Sequence, residues 1–162
     1  MLSQLLWRQS NADTSDLLTS KLLNEDTFYP VFLKDLSKCQ SEVIIESPFI
    51  TSRRLAQLLP VLKKLKARRV RVVINTRDPN ENDEVHWRNE VHQTIAHLQR
   101  IGVQILYTGG HHRKLAILDR KVLYEGSLNV LSQNRSSEVM RRVESVQLAW
   151  EMIRFTKLDQ YL

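Results

Sequence analysis

Through most of this chain, apolar residues return at helical intervals, give way to short β-branched runs, and then return at helical intervals again. Between 27 and 38, Phe28, Val31, Phe32, Leu33 and Leu36 share one side of a helix. Val43, Ile44 and Ile45 follow as a buried strand that stops at Ser47-Pro48. Ser52 is placed to cap a second helix carrying Leu55, Leu58, Leu59, Leu62 and Leu65 on one stripe, with Arg53, Lys63, Lys64 and Lys66 elsewhere around it. A strand over 70–74, a polar loop broken by Pro79, a helix over 85–100 closed by Gly102, and a strand over 103–107 come next. This strand–helix alternation predicts parallel strands with packed helices. Beyond Gly109-Gly110 the pattern changes to a hairpin, 114–118 and 121–124 around Asp119-Arg120, then a strand over 139–143 and a closing helix over 144–161. The expected fold is α/β, a mixed, mostly parallel β-sheet flanked by helices. Residues 1–26, with scattered leucines and little β-branching, are expected to form a peripheral helical segment, leaving 27–162 as the main domain.

A chain of 162 residues, 42% hydrophobic and 26% charged, fits one globular domain and argues against disordered, collagen-like and repeat classes. No apolar run approaches the roughly 18–20 residues a membrane span needs, and the start lacks a secretory pattern, so a cytoplasmic location is expected, with no membrane partner. One cysteine, Cys39, cannot form an internal disulfide or a cysteine-based zinc cage. His86, His92 and His97 have spacings that match no helical zinc pair, so no metal or other cofactor is expected. The net charge of +6 points to polyanions, nucleic acid or anionic lipid.

The chemistry concentrates in HHRKLAILDRKVLYEGSLNV, where His112, Lys114, Asp119, Gly126, Ser127 and Asn129 stand in the spacing H-x-K-x4-D-x6-G-S-x-N. His111 does not keep that spacing. On a strand, His112 and Lys114 share a face, and a hairpin turning at Asp119-Arg120 sets Ser127 opposite His112 and Glu125 opposite Lys114. A neutral imidazole can attack phosphorus, while Lys114 and Asn129 stabilise charge developing on the non-bridging oxygens. Asp119, at the far end of the hairpin, is expected to hold the turn or orient other groups rather than touch substrate. Arg53, Arg54 and Arg77, which follow strand ends, and Arg113 are candidate phosphate-backbone contacts.

The spacing resembles the signature of the phospholipase D superfamily, and in size and motif number the chain is similar to its small single-motif bacterial endonucleases and to the domains attached to DNA helicases and restriction enzymes. The resemblance implies a metal-independent phosphodiesterase in which one motif histidine becomes a phosphohistidine and another protonates the leaving group. With one motif per chain it implies a homodimer whose two His112 rings meet. It also makes Glu138, in Ser136-Ser137-Glu138, the orienting partner of His112, and a helicase or restriction system a candidate partner. The leading expectation is a sequence-nonspecific nuclease acting on DNA, with RNA as the alternative substrate. Phospholipid headgroup hydrolysis or transfer, and a non-catalytic nucleic-acid-binding module, are the alternative functions.

Overall fold

The structure is a computed structural model and describes residues 14–81, 84–110, 112–132 and 136–162. His111 lies outside the described residues. Helix α1 (Thr14–Leu18) and strand β1 (Lys21–Leu23) precede α2 (Phe28–Lys38), β2 (Glu42–Glu46), α3 (Ser52–Ala67) and β3 (Arg71–Thr76). Then come α4 (Val85–Arg100), β4 (Gln104–Tyr107), β5 (Leu115–Leu118), β6 (Val122–Gly126), β7 (Met140–Glu144) and α5 (Val146–Phe155).

The seven strands form one sheet in the order β1-β7-β6-β5-β2-β3-β4. Parallel pairing is confined to β2–β3 and β3–β4; β2–β5, β5–β6, β6–β7 and β1–β7 are antiparallel. The sheet is therefore mixed, as expected, but mostly antiparallel rather than mostly parallel, because parallel pairing needs an intervening crossover and occurs only where helices separate β2, β3 and β4. The expected peripheral helix is also partly replaced: Lys21–Leu23 pairs with β7 and extends the sheet.

Strand alternation divides the core. Val43 and Ile45 of β2 and Val72 and Ile74 of β3 point into a cluster with Phe28, Phe32 and Leu36 of α2, Leu58, Leu62 and Leu65 of α3, and Leu98 of α4. Ile44, Ile117, Leu123 and Val143 point to the opposite face, against Ala149 and Ile153 of α5. Thr51, rather than Ser52, caps α3, its hydroxyl accepting from the Arg54 amide at 3.3 Å. Ser52 instead donates to Glu90 of α4 at 2.5 Å.

The β5–β6 hairpin departs by one residue from the expected register. Asp119 and Arg120 both adopt left-handed backbone (φ 50° and 52°), and the Lys121 amide donates to the Leu118 carbonyl at 2.9 Å. The Lys121 carbonyl turns away to accept from Ser145, so residues 119–121 form the connection. Glu125 thus faces Leu115, and Gly126 donates to Lys114 at 3.2 Å. Ser127 is displaced from its expected place opposite His112.

Candidate active site

The carboxyl ends of β2 and β3 meet the approach to β5, which places the loop after β2 beside His112. That loop is laced to the segment following the motif. The Thr51 amide donates to the Leu131 carbonyl at 3.0 Å, and the Leu131 amide donates to Ser47 Oγ at 3.2 Å. Tyr29 of α2 adds its hydroxyl, donating to the carbonyls of Val130 at 2.8 Å and Asn129 at 3.2 Å. Burial pushes the Tyr29 phenol up to about 12, so it stays a donor at neutral pH. These ties fix Asn129, whose Oδ1 is shielded from solvent and has no donor among the described residues.

Arg113 is held between His112 and Lys114 by a buried acid. Glu46, at the end of β2, is fully buried, and the Arg113 guanidinium reaches it through Nε at 2.6 Å and Nη2 at 2.9 Å. Asn75 of β3 donates to the same carboxylate at 2.7 Å and bonds Thr108. The hydrogen bond to Glu46 holds the Arg113 guanidinium above its ordinary pKa. Arg113, expected as a phosphate contact, is engaged here in a structural ion pair, because a buried carboxylate demands a partner.

His112 itself is exposed, with the Phe49 ring edge-on at 6.3 Å between centroids. Lys114 Nζ donates to the His112 carbonyl at 2.7 Å. Ser127 Oγ accepts from the Val139 amide at 3.1 Å. The hydroxyls of Ser127 and Ser136 donate to Glu138 and, with the nearby Lys114 charge, outweigh burial and hold its carboxyl below the usual range. Lys114, Ser127 and Glu138 therefore form one cluster beside His112. The expected contact between Glu138 and His112 is not among those made by the described residues.

The structure shows which backbone Gly126 admits. A Cβ there would lie 2.1 Å from the Val139 carbonyl oxygen and 2.9 Å from the Met140 Cα, both backbone atoms, so only glycine lets β7 close against this end of β6. That approach brings Glu138 to Ser127.

The remaining expected residues are dispersed. Asp119 sits at the opposite end of the hairpin, accepting from the amides of Gln40, Ser41 and Glu42 at 2.8–3.0 Å and from the Ser41 hydroxyl. Burial would raise its pKa, but these donors prevail and lower it. Arg77 lies 5.7 Å from the Phe49 ring centroid and pairs with Glu81 at 3.5 Å. Arg54 covers the Tyr29 ring at 3.4 Å, one step from the Asn129 carbonyl, whereas Arg53 is exposed on the first turn of α3. Glu46 and Tyr29 were missed in sequence. The one available signal was a lone acid ending an apolar strand, Val43-Ile44-Ile45-Glu46. Among the described residues, no group of three or more His, Cys, Asp or Glu is arranged to hold a metal ion.

An imidazole, an ammonium and a hydroxyl–carboxylate pair gather at the open end of a mixed sheet, an arrangement chemically suited to a phosphodiester. A family model described as "Cardiolipin synthase, PLD-like domain" matches residues 32–158, and the chain belongs to this phospholipase D-like family. Its fold is similar to that of Nuc from Salmonella typhimurium, a phospholipase D family member, with 14% identity, TM-score 0.68, and coverage of 85% of this chain and 90% of that one. It is similar to NucT from Helicobacter pylori at 17% identity and TM-score 0.67, covering 85% and 92%. The polyphosphate kinase from Porphyromonas gingivalis shares the fold at 13% identity and TM-score 0.66, over 98% of this chain and 28% of that one. No curated protein matches the chain in sequence. No helix among the described residues is long and apolar enough to cross a membrane.

Proposed function

We propose that the protein is a sequence-nonspecific nuclease of the phospholipase D type, cleaving DNA through a phosphohistidine on His112 in a site completed by a second copy. The supporting observation is the cluster of Lys114, Ser127 and Glu138 beside an exposed His112. In the first step a nitrogen lone pair of His112 attacks phosphorus and the P–O bond to the leaving alkoxide breaks. The second copy's His112, protonated, gives that oxygen its proton. It then takes a proton from water, which attacks phosphorus and breaks the P–N bond, returning both rings to their starting state. Lys114 and the Asn129 amide stabilise the charge on the non-bridging oxygens during both displacements, the first by its positive charge and the second as a hydrogen-bond donor.

Two copies are required on stereochemical grounds: nucleophile and leaving group lie on opposite sides of phosphorus, and one ring cannot serve both. The net charge of +6 favours a nucleic-acid substrate. The test is cleavage of plasmid DNA in EDTA by the native chain and by His112→Ala, beside headgroup release from phospholipid vesicles. DNA cleavage that is lost in the variant supports the proposal. Headgroup release with intact DNA would replace it with the lipid reading, and DNA binding with no turnover in any assay would leave a binding module.

A further inference from the structure

Helix α3 carries charge that the site does not use. From Ser47 to Arg77 the chain has nine basic residues and no acidic one. Some of these are committed locally. Arg71 is within 3.8 Å of Glu42 and donates to the Leu162 carbonyl, and Lys66 reaches the Val70 carbonyl at 3.1 Å. Arg68 donates to the carbonyls of Ser37 and Cys39, which ties the end of α3 to the end of α2.

Lys63, Lys64 and Arg69 are different. All three are exposed, and none has an acidic partner within ion-pair distance among the described residues. The outer face of α3 runs from Arg53 in its first turn through Gln57 and Pro60 to Lys63 and Lys64, with Arg69 beyond it and the exposed Lys38 of α2 flanking Arg68. Glu90 accepts from Ser52 at the first turn of α3. At 1.5 Å per residue, Arg53 to Lys64 spans about 16 Å. One strand of duplex places about five phosphates over that length. None of the large exposed apolar side chains lies on α2 or α3, so this face has charge without an apolar wedge for a bilayer.

We infer that the outer face of α3, from Arg53 to Arg69, is a second nucleic-acid-binding surface that holds the substrate backbone several nucleotides away from the scissile phosphate. This rests on the nuclease reading for what is cut, but not for what is bound. The test compares the native chain, Lys63→Gln/Lys64→Gln/Arg69→Gln, and the charge-preserving Lys63→Arg/Lys64→Arg, each checked by thermal melting. Binding is measured in a His112→Ala background to duplexes of about 6 and about 20 base pairs over a salt series.

The triple variant is expected to lose at least about tenfold in affinity for the long duplex, and about two to three units of slope in log K against log salt. It should be unchanged on the short duplex and, with His112 intact, on bis(p-nitrophenyl) phosphate hydrolysis. The arginine variant should match the native chain. Equal loss on both duplexes, or no loss on either, overturns the inference, as does loss of binding to phosphatidylglycerol vesicles with long-duplex binding intact. Length-dependent loss in a chain that hydrolyses no diester would sustain the surface while refuting the nuclease.

Discussion

Replacing Arg113 by methionine would leave the Glu46 carboxylate fully buried with Asn75 as its one remaining side-chain donor among the described residues. Breaking a buried pair from one side costs about 3–5 kcal/mol, because the abandoned charge keeps its desolvation penalty. The Arg113 side chain is 37% exposed, so water can enter where it was, and the lower end, about 3 kcal/mol, is expected. For a chain of this size that corresponds to a fall of about 6–12 °C in Tm. Adding Glu46→Gln removes the stranded charge, and the double variant should recover about 2 kcal/mol, a coupling measurable by a urea double-mutant cycle. The same variants separate the two roles available to Arg113. A Tm unchanged within about 1 °C, combined with weakened DNA binding, would refute the structural assignment and restore a phosphate contact.

Other consequences are as direct. Gly126→Ala forces its Cβ into the Val139 carbonyl, and should cost about 1–3 kcal/mol while lowering turnover through displaced Ser127 and Glu138, measured by melting and by kcat. Asp119 has a depressed folded pKa, so its stabilisation is complete above its unfolded value of about 3.9 and is lost as pH falls through the lower folded one. Asp119→Asn should therefore flatten the acid limb of a Tm–pH profile below about pH 4 and leave neutral-pH kcat intact. Tyr29→Phe removes the hydroxyl that holds the Asn129 and Val130 carbonyls, and should lower kcat more than it raises KM, with a loss of about 1 kcal/mol in stability. His112→Ala and Lys114→Ala subunits, mixed, should fall short of full activity.

The sequence made most elements visible because helix and strand periods differ so sharply. The leucine stripe of α3 and the β-branched runs of β2 and β3 each fit one template. The hairpin register was harder to see, since it depends on whether Lys121 joins the ladder or turns its carbonyl to Ser145, a tertiary choice. β1 was missed because three residues carry too little period to oppose the neighbouring leucines. At the site, His112, Lys114, Ser127 and Asn129 were legible through their spacing. Glu46 and Tyr29 act from 67 and 100 residues away in sequence, and no local pattern reports such a partner. Asp119 is part of the same spacing yet braces the far end of the hairpin, so membership of a motif and contact with substrate are separate properties.

The central claim, covalent catalysis on His112, is tested most directly by rapid acid-free quenching during turnover of an oligonucleotide and mass spectrometry of the digested protein. A nucleotidyl adduct on the His112 peptide, formed and lost at rates compatible with kcat and absent in His112→Ala, is the predicted result. Full turnover by His112→Ala, or an adduct carried by another residue, would contradict it.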